Sequence, residues 1–338
     1  MKRTLVILLG CCLGLNSCYE LDLNPLSQAS SENWYSSETE IEMSVKDFYR
    51  DDFWPLDNED KTDNFIYRET PSEILKGTFN GQSDDVTKLW ANQYKSIARA
   101  NTILANMDKA VNMGISEVKL KQYEGEAFFQ RASCYARLVT YFGDVIYVTE
   151  VVDIDKAFTL GRTAKSEIVP KIYEDYDKAI ENLPEKYSGL SSQRATKGAA
   201  LALKARFALY MGDWDIVADA TKKCMDLGIY KLHKDYSDLF LSTTKNSEES
   251  IFLLPRSIEY KVTLGNWTVM NEVSRNPGGW GAFAPSWDLL AAYTCTDGLP
   301  IDESPLFDPH NPFKNRDPRC TATIVEFGTR HLGFEYNP

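Results

Sequence analysis

Between residues 260 and 280 the chain places Tyr260, Asn266, Trp267, Asn271, Arg275 and Trp280, in a stretch also rich in glycine. Flat aromatic rings beside amide and guanidinium groups suit a sugar, whose rings have apolar C–H faces and hydroxyl edges. Trp267 is the leading platform candidate, because it follows a turn at Gly265-Asn266 and carries no helical stripe. Trp280 lies in Gly279-Trp280-Gly281, where packing and ligand contact are equally open. A second candidate is the loop from Gly77 to Lys88, with Phe79, Asn80, Gln82 and Asp84, and Arg68 is a further hydroxyl donor. Three aromatics read as packing instead. Trp90 shares a stripe with Tyr94 and Ile97, and Trp287 and Tyr293 sit at helical spacing, which predicts core positions.

Patterns that would support catalysis are weak. His233, His310 and His331 are far apart and have no paired ligand spacing. There is no GxSxG elbow, no GxxxxGK[ST] loop and no CxxC pair, so a serine hydrolase, a phosphate cradle and a zinc site lack support. A glycosidase needs only two carboxylates, so 49 acidic residues cannot exclude one by counting. The acidic run Asp57, Glu59, Asp60, Asp63 departs from a calcium loop because the required glycine is absent, and it reads as a solvated loop. No catalytic residue, metal or cofactor is assigned.

The N-terminus sets the compartment. Lys2 and Arg3 precede an apolar stretch from Thr4 to Leu15, then Leu15-Asn16-Ser17-Cys18. A basic start, an apolar core too short to span a bilayer and small residues before a cut describe an export signal. The ending resembles a bacterial lipobox, which makes residues 1–17 a lipoprotein signal peptide and Cys18 the lipidated first mature residue. Residues 18–37 then form a polar tether, and the protein is anchored rather than inserted. Of the cysteines that remain, Cys134 and Cys224 lie in helical patterns where a free thiol packs as a small apolar group. Free thiols are therefore favoured at Cys134, Cys224, Cys295 and Cys320, although an exported chain could pair them.

The composition of the 338 residues is that of a globular protein, 43% hydrophobic and 25% charged. The net charge is −12, and loss of Lys2 and Arg3 leaves 35 basic against 49 acidic residues, or −14. That balance argues against nucleic acid and anionic phospholipid, and suits a neutral or cationic ligand.

The elements that must position these residues are mainly helical from about 38 to 250. Leu120, Tyr123, Ala127, Phe128, Cys134, Tyr135, Leu138, Val139 and Phe142 form one stripe ending at Gly143. Similar patterns predict helices over about 86–111 and from Ser166 to a stop at Pro184. Lys197 to Gly228 reads as a helix-turn-helix unit with its turn at Gly212-Asp213. It is similar to a tetratricopeptide repeat, in which Val217 replaces the usual smaller residue. Such units bury their apolar faces only against neighbours, so several are needed. From 251 to 338 the chain is loop-rich. Ile251-Phe252-Leu253-Leu254 predicts a short strand, and about 286–293 a short helix.

Several runs together resemble the SusD/RagB family of outer-membrane nutrient-binding lipoproteins. They are Tyr94-Lys95-Ser96-Ile97-Ala98-Arg99-Ala100-Asn101, Gly125-Glu126-Ala127-Phe128-Phe129-Gln130-Arg131-Ala132, Phe142-Gly143-Asp144-Val145, Lys197 to Arg206, Gly212-Asp213-Trp214, Asp297-Gly298 and Asn315-Arg316-Asp317-Pro318-Arg319. Each is weak alone, but their order behind a lipobox is specific. The resemblance implies a mainly α, tetratricopeptide-like scaffold over 38–250 and an irregular ligand-side region that begins at 251. It also implies an oligosaccharide ligand and a SusC-like TonB-dependent β-barrel partner, with the lipid anchor in an outward-facing outer membrane. Glu20 and Asp22 resemble acidic export marks, or are simply a solvated linker. A peptide ligand, as on the RagB side of the family, and a lipid-anchored hydrolase are the alternatives. Members are usually longer, so the chain reads as truncated after Asn337-Pro338, with exposed apolar faces and lowered stability.

Overall fold

The computed structural model describes residues 34–336, apart from 56–58, 69, 189–192, 255 and 260. The signal peptide, Cys18 and most of the tether lie outside the described residues.

A row of helices builds the scaffold. In chain order they are α1 (Glu38–Lys46), the single turn α2 (Glu73–Lys76), α3 (Asp84–Ala105), α4 (Met107–Asn112), α5 (Glu117–Phe142), the single turn α6 (Ile154–Ala157), α7 (Lys165–Asn182), α8 (Lys197–Met211) and α9 (Trp214–Asp226). Each long helix packs on the next, α3 on α5, α5 on α7, α7 on α8 and α8 on α9, while α1 covers α5. This is the stacking that repeats with one apolar stripe per helix require. The stripe read from Leu120 to Phe142 is the buried face of α5. Phe129, Tyr135 and Leu138 meet Ile168, Ile172 and Tyr176 of α7 and Phe207 of α8 in one core. Burial of each such side chain stabilises the fold by about 1.5–3 kcal/mol. A second core joins Ile41, Val45 and Phe48 to Ile103 and Tyr123.

The core between α5 and α7 also holds a buried ion pair. Arg131 Nε and Nη2 donate to the two carboxylate oxygens of Asp175 at 2.7 and 2.8 Å. Arg131 Nη1 donates to Asn101 Oδ1 at 2.9 Å, and Asn101 Nδ2 donates to the carbonyls of Val148 and Glu150. Side chains of α3 and α5 thus hold the extended segment after Gly143 in place of a sheet neighbour.

The segment predicted as one helix over 86–111 is two. The break falls at Asn106, whose Nδ2 donates to the Thr102 carbonyl at 2.7 Å and so competes with the helical ladder. The predicted strand at 251–254 is not a strand. Phe252 instead plugs the scaffold, with its ring 4.9 Å from Trp54, 5.4 Å from Phe129 and 6.2 Å from Tyr49. A short apolar run fits either outcome, and here a pocket of aromatic rings is available.

Beyond 254 come α10 (Asn266–Glu272), α11 (Trp287–Ala292) and α12 (Arg319–Thr323). The strands are β1 (Phe65–Tyr67), β2 (Phe283–Pro285), β3 (Arg330–His331) and β4 (Phe334–Glu335), where β1 pairs with β2 and β3 with β4, both antiparallel. A small core gathers Leu290, Phe313, Cys320 and Ile324, with Tyr293 packed on it. Arg316, from the Arg-Asp-Pro-Arg run, is buried and donates to the carbonyls of Pro312 (2.8 Å), Leu290 and Tyr293 (2.6 Å), fastening this part together. Trp287 was expected in the core but is 67% exposed. It opens α11, and helical side chains lean toward the N-terminus, so its ring overshoots the core that Leu290 reaches. Cys134, Cys224, Cys295 and Cys320 are all buried free thiols. No helix among the described residues is long and apolar enough to cross a membrane.

Candidate functional site

The pairing of β1 with β2 brings together residues more than 200 positions apart. Its register sets Phe65 opposite Pro285, Ile66 opposite Ala284 and Tyr67 opposite Phe283, whose rings lie 5.1 Å apart. The next backbone N–H, that of Arg68, donates to the Ala282 carbonyl at 2.8 Å. The turn that leads into β2 folds back on α10. The N–H groups of Trp280, Gly281 and Ala282 donate to the carbonyls of Met270, Val273 and Asn271. Gly279 allows this close approach, because a Cβ there would lie 2.0 Å from the Val273 carbonyl oxygen.

Trp280 stands on this turn, 44% exposed. Arg275 braces it by donating from Nε to the Trp280 carbonyl at 3.3 Å, and the Arg275 side chain is open to solvent. Arg68 is likewise exposed. The backbone of Arg68 therefore lies against the end of this turn, with Tyr67 and Phe283 half-buried beside it. The Trp280 backbone ties the turn while the residue stays partly exposed, which leaves packing and ligand contact both open.

Other sequence candidates stand differently. Asn271 is buried, so its amide serves the interior. Trp267 does not follow a free turn as expected, because its backbone belongs to α10, which starts at Asn266. Tyr260 and the side chains of Asn266 and Trp267 lie outside the described residues. Asn80 is exposed and tied into its own loop, where Oδ1 accepts from the Gln82 N–H at 2.9 Å and Nδ2 donates to the Thr78 carbonyl at 3.0 Å. That loop is tied toward β1 by the ion pair of Lys61 with Asp85, 2.9 Å. Among the described residues no cluster of His, Cys, Asp and Glu could hold a metal ion.

One concavity was not foreseen. A cavity of about 320 Å³ lies between α3 and the segment 146–160, lined among others by Trp90, Tyr94, Ile97, Val148, Val151 and Leu160. Its size falls at the lower end of the range for small-ligand pockets. Trp90 is half-buried as its stripe predicts, 5.0 Å from Tyr94 and 5.1 Å from Phe142. The available signal was the pair of apolar stretches Val145 to Val148 and Val151-Val152 just after the Phe142-Gly143-Asp144 turn. The polar side chains of the cavity are engaged within the fold: Tyr94 donates to the Ile146 carbonyl, Asn101 to Val148 and Glu150, Thr102 to Ala98, and Glu150 pairs with Lys156. A sugar needs hydroxyl partners as well as apolar area, so the Trp280 turn matches that chemistry better.

Fold and site together define a helical-repeat scaffold that carries an exposed aromatic turn on an irregular second region. The family model described as "Starch-binding associating with outer membrane" matches residues 23–209, and the chain belongs to this SusD-like family. It is 30% identical over 176 residues to SusD-like protein P25 of Formosa agariphila, a match covering 51% of this chain and 32% of that one. A solved SusD-like carbohydrate-binding protein of Bacteroides fragilis superposes with a TM-score of 0.77 at 26% identity, over 90% of this chain and 62% of that one. A second SusD-like protein of the same organism gives 0.73 at 26% identity, over 89% and 62%. The chain thus spans about a third of the length of the curated relative and under two thirds of the solved ones.

Proposed function

We propose that this chain is a cell-surface lipoprotein that binds oligosaccharide without chemistry and passes it to a SusC-like TonB-dependent β-barrel. The carrying observation is the exposed Trp280 braced by Arg275, an aromatic platform with a hydrogen-bonding fork beside it. Family membership supports the reading, as does the similarity to a carbohydrate-binding protein of Bacteroides fragilis. Cys18 would carry the lipid, holding the protein on the outer membrane facing outward, and residues 18–37 would be the tether. The region from 38 to 250 would supply the scaffold, and the region from 251 onward the ligand side. Tyr260, Asn266, Trp267 and Asn80 remain proposed contacts beside Trp280 and Arg68. Affinity is expected between about micromolar and millimolar, since a carrier must release its cargo.

The test is a glycan screen on the full chain in detergent, by calorimetry and affinity electrophoresis. Trp280→Ala should weaken any hit by at least about tenfold, as for a central aromatic anchor, with the melting temperature little changed. A hit unaffected by Trp280→Ala would move the site elsewhere, and turnover of the glycan would replace the carrier reading with a hydrolase.

A further inference from the structure

We propose that the loop from His233 to Ser247, together with α12, forms a second saccharide-binding surface, one for neutral sugar chains. The ligand class rests on the carbohydrate-binding reading above, whereas the place is independent of the Trp280 turn. Three contacts close the loop after α9. The Lys231 N–H donates to the Glu248 carbonyl at 3.2 Å, the His233 N–H donates to Glu249 Oε2 at 2.7 Å, and His233 Nδ1 shares a hydrogen bond of 2.9 Å with Ser247 Oγ. A surface loop with its ends held this close is of the Ω type, a frequent carrier of function. Inside it, Asp235 Oδ1 accepts the N–H groups of Ser237 and Asp238 at 2.8 and 3.1 Å. The turn that follows carries Phe240 back to Tyr236, and the two rings meet edge to face with centroids 5.1 Å apart.

Phe252 enters the scaffold, but these rings stay outside it, Phe240 69% exposed and Tyr236 43%. Water contact forgoes the stabilisation that burial gives an aromatic side chain. Their mutual contact fixes both planes, so the C–H face of a sugar meets a surface already ordered. Groups for the hydroxyl edge stand beside them. Arg319 opens α12 with its side chain 60% exposed, and Asp317 holds it bidentately, Nε to Oδ1 at 3.0 Å and Nη2 to Oδ2 at 2.6 Å. The hydroxyls of Tyr236 and Tyr293 lie close enough to act on the Arg319 charge, which sets the loop next to α12. Tyr293 Oη donates to Thr323 Oγ1 of the same helix at 2.9 Å. Rings, a guanidinium–carboxylate pair and hydroxyls together supply apolar area, donors and acceptors, the combination a sugar takes. Charge selects the class. Asp317 neutralises Arg319, and across 233–247 Lys234 and Lys245 balance Asp235 and Asp238, so these segments carry no net charge for an ionic group. Glu248 and Glu249 at the base of the loop disfavour an anion further.

The experiment titrates the full chain in detergent, by calorimetry, with neutral hexasaccharides of the malto, laminari, cello and manno series. At least one of them should bind with two equivalents. Phe240→Ala and Tyr236→Ala should each weaken one equivalent by about tenfold and leave the other within about twofold. Phe240→Trp should retain both, because a ring remains, and Arg319→Gln should weaken the same equivalent about three- to fivefold. Both rings are exposed, so the melting temperature should stay unchanged and certify the fold of each variant. Trp280→Ala should act on the other equivalent. Binding that neither Phe240→Ala nor Tyr236→Ala weakens would overturn this proposal alone. Binding weakened by Phe240→Ala but not by Trp280→Ala would uphold it and remove the Trp280 turn as a site. If folded protein binds no hexasaccharide of the panel, this proposal and the carbohydrate reading both fail.

Discussion

Removal of the Asp175 carboxylate should be among the most destabilising single changes in the helical scaffold. Arg131 is 5% exposed and Asp175 is 3% exposed. In Asp175→Ala, Arg131 Nε and Nη2 lose their acceptors at 2.7 and 2.8 Å, while Nη1 keeps Asn101 and the Thr149 carbonyl. Half of a bidentate-paired guanidinium is then left without compensation in the interior, a loss of about 3–5 kcal/mol. Against a total stability of about 5–15 kcal/mol, that is a large share. At roughly 2 °C per kcal/mol for a chain of this size, the melting temperature should fall by about 6–10 °C. The double change Arg131→Met with Asp175→Leu should recover most of the loss, because it removes both charges and refills the volume. Scanning calorimetry measures the shift, and hydrogen exchange at the Val148 N–H, which donates to Tyr135 Oη at 2.7 Å, reports loosening of the neighbouring segment. A shift below about 2 °C would refute the reasoning, because the pair would then behave as an exposed one with water on Arg131.

Three further changes test other parts of the structure. Burial pushes the Glu126 carboxyl above its ordinary 4.5, against the opposing pull of Arg194 and the Tyr49 and Tyr187 hydroxyls. The folded state thus holds that proton more tightly, and the stabilisation is full below about 4.5 and lost as pH rises through the folded value. The urea midpoint of the parent relative to Glu126→Gln should accordingly improve as pH falls from 7 toward 4.5, and the opposite trend would contradict the assignment. Phe252→Ala should cost about 2–3 kcal/mol through loss of the ring contacts with Trp54, Phe129 and Tyr49, measured by urea denaturation. An effect under about 1 kcal/mol would mean the ring is not a plug. Gly279→Ala places a Cβ 2.0 Å from the Val273 carbonyl oxygen, so the turn must open. Glycan binding should fall as far as in Trp280→Ala while the helical scaffold melts unchanged, and retention of full binding would show that the turn does not position the ring.

Helices were legible because periodicity is a local property. The stripe from Leu120 to Phe142 needs only 3.6-residue spacing to define a buried face, and the Gly212-Asp213 turn needs only its own residues. Pairing between distant segments was not legible. Nothing near Arg68 signals that it will meet Ala282, and nothing in Ile251 to Leu254 separates a strand from an aromatic plug. Trp287 was misread because helical spacing gives a face but not which turn of the helix reaches the core. The type of Asn80 was visible in the sequence, while the bonds that tie it into its own loop were not.

What the sequence alone determined is the helical class, the repeat-like organisation, the family resemblance and the kinds of side chain a sugar surface would use. These follow from residue type, spacing and order along the chain. Only the tertiary structure decided that Arg275 and Trp280 share a turn, that Arg68 stands across from it, that Asn271 is buried and that a cavity opens beside Trp90. The first rests on a side chain donating to a backbone carbonyl, and the second on a backbone hydrogen bond between residues more than two hundred positions apart. Such bonds use the N–H and C=O that every non-proline residue carries, so they leave no mark in the sequence.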